Sequence, residues 1–393
     1  MERIDLLDTF HREVEVLELT DEWMIYALDQ KNEIKDICSI EKMNLKTRQI
    51  QRLITLDYTR LWESFRTYGQ MPGFFYAVNV LADYRVRLRK IDKTTWENTT
   101  DFLINPEGEI INIYSLNEDF MIITDEVKAE PEVLERFGMK DEGRRYVNVR
   151  YLYEIRTAKK YPIKDSHFDS LTEDIPVRLM CGVPTVVYEA FYRDEYDEGA
   201  DGGSEILTVP VDEFIAHVKA DGMAGLTRAA GAGDDGFDYV RLMAAEDDKI
   251  IFRRRNIASG REELVRLSAS EDGYAAKILK AYDVPESCSL FYDLAQEKVY
   301  GYPEDPDMPS KEVLCLTEPS QAAVYDGKYG SFAGFFGDEW MITTYYDEVM
   351  VKEYEYHEYV AIHNLKDGHV ETVAGRFERT PGVLVLLRSF LAL

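Results

Sequence analysis

The pentapeptide Asp21-Glu22-Trp23-Met24-Ile25 returns, letter for letter, as Asp338-Glu339-Trp340-Met341-Ile342 near the other end of the chain. A third relative, Asn117-Glu118-Asp119-Phe120-Met121-Ile122-Ile123, lies between them, with Phe120 where the other two have Trp23 and Trp340. Each copy is an acidic turn, one large aromatic, then a Met-Ile pair with aromatic or β-branched followers. That composition suits a pleated, half-buried strand better than a helix.

The two end copies share a second element. Asn44-Leu45-Lys46 follows the first, and Asn364-Leu365-Lys366 follows the second. In each, the three residues precede a polar turn and an alternating strand. Asp367-Gly368 is a hairpin signal, able to supply positive-φ residues. Looser members of the turn set occur at Ile91, Ile155, Asn256 and Asp293. With roughly 40–50 residues per four-stranded unit, the turn positions fit about seven units, one of them, between 155 and 256, without a visible turn.

This recurrence resembles the β-propeller superfamily, without the Gly-His and Trp-Asp signatures of WD40 repeats. The resemblance implies an all-β chain of about seven four-stranded blades (six to eight), residues 1–393 forming a single propeller domain. It also implies that the first and last blades are neighbours. The C-terminal segment 381–393, or the N-terminal Val14–Leu19 stretch, would complete a shared blade, leaving only short, protected sheet edges. Three stretches read as helical excursions. Residues 57–66 carry Tyr58, Leu61, Trp62 and Phe65 as one stripe, 131–138 run from Pro131 to Gly138, and 209–222 place Val211, Phe214, Ile215 and Val218 on one face before Gly222. The last belongs to a Gly-, Asp- and Ala-rich region, 190–236, read as a loop and helix insertion.

Composition narrows the function classes. The chain is 45% hydrophobic over 393 residues, enough for a large core, and the 26 Tyr and 18 Phe argue against disorder. A net charge of −28 repels phosphate backbones and anionic membrane surfaces, so nucleic acid and membrane are not expected partners. Arg253-Arg254-Arg255 is the one tight basic cluster, and ion pairing with neighbouring acids is its expected role. Cys38, Cys181, Cys288 and Cys315 form no CxxC pair and read as free thiols. The first residues hold no apolar signal segment, and no run approaches 18 apolar residues, so the cytoplasm is the expected location.

Candidate chemistry is sparse. Residues 194–205 have Asp194, Gly199 and Glu205 at positions 1, 6 and 12 of a calcium-loop pattern. Tyr196 breaks position 3 and Glu198 stands at position 5, so a solvated acidic loop is the better reading. His357 and His363 fall on one face of a strand, where they could hold a divalent metal with a nearby carboxylate; half-exposed structural histidines are the alternative. Tyr354, Tyr356 and Tyr359 could stack a sugar or a peptide, or pack between blades. Gly231 to Gly236 spells GxGxxG, but Asp234 and Asp235 would repel a pyrophosphate. No GxSxG, P-loop or HExxH motif occurs. The expectation is a non-catalytic binding or scaffold protein that recognises a protein, peptide or small polar ligand at the central face. The alternative is a carbohydrate-active hydrolase or lyase using carboxylates around a central channel.

Overall fold

The computed structural model describes residues 2–6, 14–31, 36–58, 65–68, 73–81, 85–140, 143–164, 177–191, 204–231, 237–270, 273–284, 288–293, 298–303, 305, 308–318, 322–337, 339–346, 358–380 and 383–388. Within them, seven antiparallel sheets follow one another along the chain. Each opens with four strands paired in chain order, over 14–58, 65–104, 109–162, 177–231, 237–282, 288–326 and 331–379. Seven consecutive four-stranded meanders are the architecture of a β-propeller, and the sheets are called blades 1 to 7 below. Two compact units result: blades 1, 6 and 7 with residues 1–60 and 283–393, and blades 2 to 5 with residues 61–282.

The repeated pentapeptide is the corner of a blade. In blade 1, Trp23 opens the second strand (Trp23–Lys31) and pairs with Asn44 at the end of the third (Asp36–Asn44). The next residue, Leu45, donates its N–H to the Glu22 carbonyl at 2.8 Å. Blade 7 repeats both features: Trp340 pairs with Asn364, and Leu365 N–H reaches Glu339 O at 2.8 Å. Blade 3 does the same with Phe120, Glu154 and an Ile155-to-Asp119 bond of 2.9 Å. A fourth copy, not seen in the sequence, is Phe74 in blade 2, which pairs with Asp92 while Lys93 N–H bonds Gly73 O at 2.9 Å. Lys42 lies over the Trp23 ring and Lys90 over Phe74, at 4.4 and 4.3 Å.

In blades 1, 2 and 7 the turn that follows is built by an Asx side chain, and Glu154 holds that place in blade 3. Asn44 Oδ1 accepts from the N–H groups of Lys46 and Thr47, and Asp92 Oδ1 from those of Thr94 and Thr95. Asn364 Oδ1 does so for Lys366. Such a side chain substitutes for missing backbone partners. The fifth residue of the turn is left-handed in every case: Arg48, Trp96, Ala158, Gly260 and Gly368, with φ of 60°, 58°, 54°, 66° and 73°. In blade 7 only Gly368 supplies that conformation; Asp367 does not. The Asn256 turn has the same build but joins the second and third strands of blade 5 (Lys249–Asn256 and Glu262–Ser270), so it lies at the opposite sheet end. Asp293 ends the first strand of blade 6 (Cys288–Asp293), and Leu294 lies outside the described residues.

The turn missing between 155 and 256 has a physical cause. The third and fourth strands of blade 4 (Ser204–Pro210 and Thr227–Gly231) are joined by the helix Val211–Asp221. Within region 190–236, read as a loop and helix insertion, the described residues 204–231 supply the third and fourth strands of this blade. The helix buries Val211, Phe214, Ile215 and Val218 against Leu116 and Ile122 of blade 3 and Tyr188 of blade 4, worth about 6–10 kcal/mol of apolar burial. It stops at Gly222, φ 85°. The expected helix at Pro131 is present as Pro131–Phe137, capped by Gly138 at φ 68°. The one expected over 57–66 is corrected at its ends, since Tyr58 closes the strand Ile50–Tyr58 and Phe65 opens the strand Phe65–Tyr68; Leu61 and Trp62 lie outside the described residues.

Both chain ends build an extra layer in the first unit. The strand Val370–Arg379 pairs with Glu358–Asn364 only through Val370 to Ala374. From Gly375, φ 130°, it pairs instead with Val383–Arg388, which in turn pairs in parallel with Glu2–Asp5. Alternation divides this layer. Val383, Val385 and Leu387 pack with Ile4, Leu6, Met24 and Tyr26 on the blade 1 side, while Leu384 and Leu386 pack with Ile342, Val360 and Ile362 of blade 7. Arg3 clamps Glu371 with two bonds of 2.5 and 2.7 Å, and Thr380 donates to Asp21 of the first pentapeptide. The N-terminal contribution is thus Glu2–Asp5; Val14–Leu19 is the first strand of blade 1.

Candidate functional site

One face of blade 7 gathers a cluster of polar and aromatic groups. Met341 pairs with His363, Thr343 with Ala361 and Tyr345 with Tyr359, so these six side chains share a face. That face lies against blade 6. His363 is buried, with Nε2 2.9 Å from Thr343 Oγ1. The rings of Tyr325 and Tyr329 stand edge-on to it, with centroids 5.6 and 5.2 Å away. Burial pushes the imidazole down to about 4, so it is neutral at pH 7. Further along the same face, Tyr345 and Tyr359 stack at 5.1 Å with an interplanar angle of 15°, both half-buried, and Tyr329 meets Tyr345 edge-on at 6.2 Å.

Blade 6 contributes a lysine paired across strands with Tyr325. Lys311, on the third strand of blade 6 (Ser310–Cys315), is 2% exposed. Its Nζ donates to the carbonyl of Gly330 at 3.1 Å, and the Tyr325 hydroxyl donates to the same oxygen at 3.1 Å. Gly330, φ 75°, sits so close to blade 7 that a Cβ there would lie 2.2 Å from Thr344 O. Gly330 thus brings Lys311 and Tyr325 up to the backbone that carries Tyr345.

The second unit holds a different group. Glu189, on the second strand of blade 4 (Val183–Phe191), alternates with Val187 onto the face packed on Val240 and Phe252 of blade 5. Burial raises its carboxyl to about 7, against the opposing pull of Arg241, the Leu242 N–H and Arg253. Arg241 Nε is 3.9 Å from Oε1, which accepts no hydrogen bond. Arg253 also acts on buried Tyr282, whose phenol is raised by burial and by Glu262. Elsewhere buried carboxylates tie strands together. Asp125, raised by burial, accepts from Tyr151 Oη at 2.9 Å and Glu107 N at 2.6 Å; Glu41 accepts from Tyr26 Oη at 3.0 Å and from Arg52.

Of the metal candidates, Glu205 forms an ion pair with Arg228 at 3.1 Å and shares no face with Glu189, because it pairs with Ala190. Asp194, Glu198 and His357 lie outside the described residues, as do Tyr354 and Tyr356. Among the described residues no three His, Cys, Asp or Glu side chains are grouped to hold a metal. Arg254 Nε meets Glu263 at 3.0 Å, the pairing expected of the arginine run. Trp23, Phe120 and Trp340 are half-buried. Gly231 ends a strand of blade 4, and 232–236 lie outside the described residues. No helix among the described residues is long and apolar enough to cross a membrane. Lys311 and Glu189 carry one local signal in the sequence: each stands two residues from a buried valine, Val313 and Val187, on the inward phase of a strand.

No protein-family model matches the chain, and no curated protein matches it. Solved structures similar to it include an uncharacterized protein, lmo1340, from Listeria monocytogenes EGD-e, at 8% identity and TM-score 0.46, covering 94% of this chain and 96% of that one. The β-propeller domain of the Trilobed protease from Pyrococcus furiosus aligns at 10% identity and TM-score 0.37, covering 91% and 97%. Tricorn protease aligns at 8% identity and TM-score 0.34 over 94% of this chain but only 40% of its own length. The propeller fold rests on the seven sheets.

Proposed function

We propose that the chain is a binding protein of propeller type that recognises a protein, peptide or small polar ligand through the tyrosine step of blade 7. The observation that carries this reading is the stacked, half-buried pair Tyr345 and Tyr359. The outer face of such a stack is flat and apolar with a hydroxyl at its edge, the surface that stacks on sugar rings and peptide side chains. Their places are fixed by cross-strand pairing and by Tyr329 behind, so little rotamer freedom is lost on binding. The test is a glycan and peptide array probed with the wild-type protein and with Tyr359→Ala. Ligands retained by the wild type should be lost from the variant; an identical binding pattern would remove the reading.

The second reading is a hydrolase or lyase acting on carbohydrate, and Glu189 favours it. A buried carboxyl raised to about 7 beside an arginine is poised to exchange a proton near neutral pH. Its test is turnover of a chromogenic glycoside panel, with activity abolished in Glu189→Gln.

A further inference from the structure

A lysine that is 2% exposed and meets no carboxylate is unusual, because buried ammonium groups are ordinarily paired. Lys311 donates one hydrogen bond, to a neutral carbonyl that Tyr325 already occupies, and no acidic oxygen lies within 4.0 Å of it among the described residues. Two of its three N–H donors therefore have no acceptor there. The position is structurally specified: Lys311 alternates with Val313 and Cys315 onto the inward face of its strand, and its cross-strand partner is Tyr325. Gly330, which accepts from both, packs on the backbone of Thr344 and Tyr345. The cation and the stacked tyrosines thus belong to one neighbourhood at the junction of blades 6 and 7.

The geometry points to a carboxylate carried on a ring as the ligand of this site: the ring stacks on the outer face of the Tyr345–Tyr359 pair, and the carboxylate takes the donors of Lys311. The inference rests on the tyrosine step being the recognition surface, and it adds the charge of the ligand. A single buried ammonium acts at short range with little screening, so it can select an anion in spite of the net charge of −28, whose field is damped within about 8 Å at physiological salt. The hydroxyl of Tyr325 is the second donor, free to turn from Gly330 O toward the same carboxylate. His363, neutral and engaged with Thr343, contributes shape and no charge.

The experiment is calorimetric titration at 0.15 M salt with glucuronate, glucose and inorganic phosphate against wild type, Lys311→Met and Tyr325→Phe. Glucuronate should bind about tenfold or more tighter than glucose, the worth of one charge-assisted hydrogen bond. Lys311→Met, which keeps the length of the side chain, should bring the two sugars to the same affinity. Tyr325→Phe, which keeps the ring, should reduce the preference in part, and it serves if Lys311→Met does not fold. Equal binding of both sugars by the wild type would overturn the charge inference and leave the tyrosine step standing. Binding of neither sugar would remove both. Phosphate binding as tightly as glucuronate would overturn the ring requirement.

Discussion

Ile4 is paired in parallel with Val385, so the first and last strands of the chain lie side by side, and the two residues are 1% and 0% exposed. This pair is the seam of the first unit. Ile4→Ala removes buried methyl groups from the cluster that also holds Met24 and Tyr26. It should cost about 2–5 kcal/mol, read as a lower urea midpoint at unchanged slope. A midpoint that does not move would mean that the seam contributes nothing to stability.

The turn residues make a reciprocal prediction. Ala158 is exposed and left-handed at φ 54°, and Gly368 holds the equivalent place with open space around a built Cβ. Ala158→Gly should therefore raise stability by about 0.5 kcal/mol, and Gly368→Ala should lower it by about 1 kcal/mol. Thermal melts of both variants check the pair. Shifts of the same sign would show that backbone strain at these turns is not what decides the residue.

Asn44→Ala deletes the acceptor of two turn N–H groups, at 3.1 and 2.9 Å. By analogy with a lost helix cap, about 1 kcal/mol is expected. Chemical denaturation measures it, and Asn44→Asp, which keeps the oxygen, should recover most of the loss.

Glu189 titrates at about 7 when folded and near 4.5 when unfolded. Between those values the folded state holds a proton that the unfolded state has released, so stability falls as pH rises. The loss amounts to about 3 kcal/mol and is complete above pH 7. Glu189→Gln abolishes that slope. Denaturation of both proteins at pH 4, 6 and 8 should show the variant gaining on the wild type across this window.

His363 works in the opposite sense. Its imidazole titrates at about 4 when folded and near 6.5 when unfolded. The stability it brings is present above pH 6.5 and is lost as pH falls toward 4, again by about 3 kcal/mol. His363→Gln keeps a partner for Thr343 and removes the titration. The same pH series should show the variant losing less than the wild type on acidification; parallel curves would place the imidazole in a solvated site.

Much of the blade pattern was open to reading because it is local. The Trp23 and Trp340 copies, the turns at Asn44 and Asn364, and the helices Pro131–Phe137 and Val211–Asp221 are each specified within a few residues, by an aromatic, an Asx side chain, a proline or a glycine. The Phe74 copy escaped because Gly73 replaces the acidic residue there, and the backbone bond that defines the corner does not depend on it. His363, a metal candidate by its strand phase, bonds Thr343 through Nε2 and meets Tyr325 and Tyr329 edge-on, contacts that no local pattern announces, while His357 lies outside the described residues.

The amino-acid sequence by itself determined the strands, their period and the corners between them, because side-chain alternation and turn chemistry act over a handful of neighbouring residues. Tertiary structure decided which faces meet. It placed Glu2–Asp5 rather than Val14–Leu19 beside the last strand, laid Glu189 against blade 5, and buried Lys311 against the Gly330 carbonyl. Those outcomes depend on burial by residues distant in the chain, and desolvation, which sets the charge and reach of such groups, exists only once the sheets are packed.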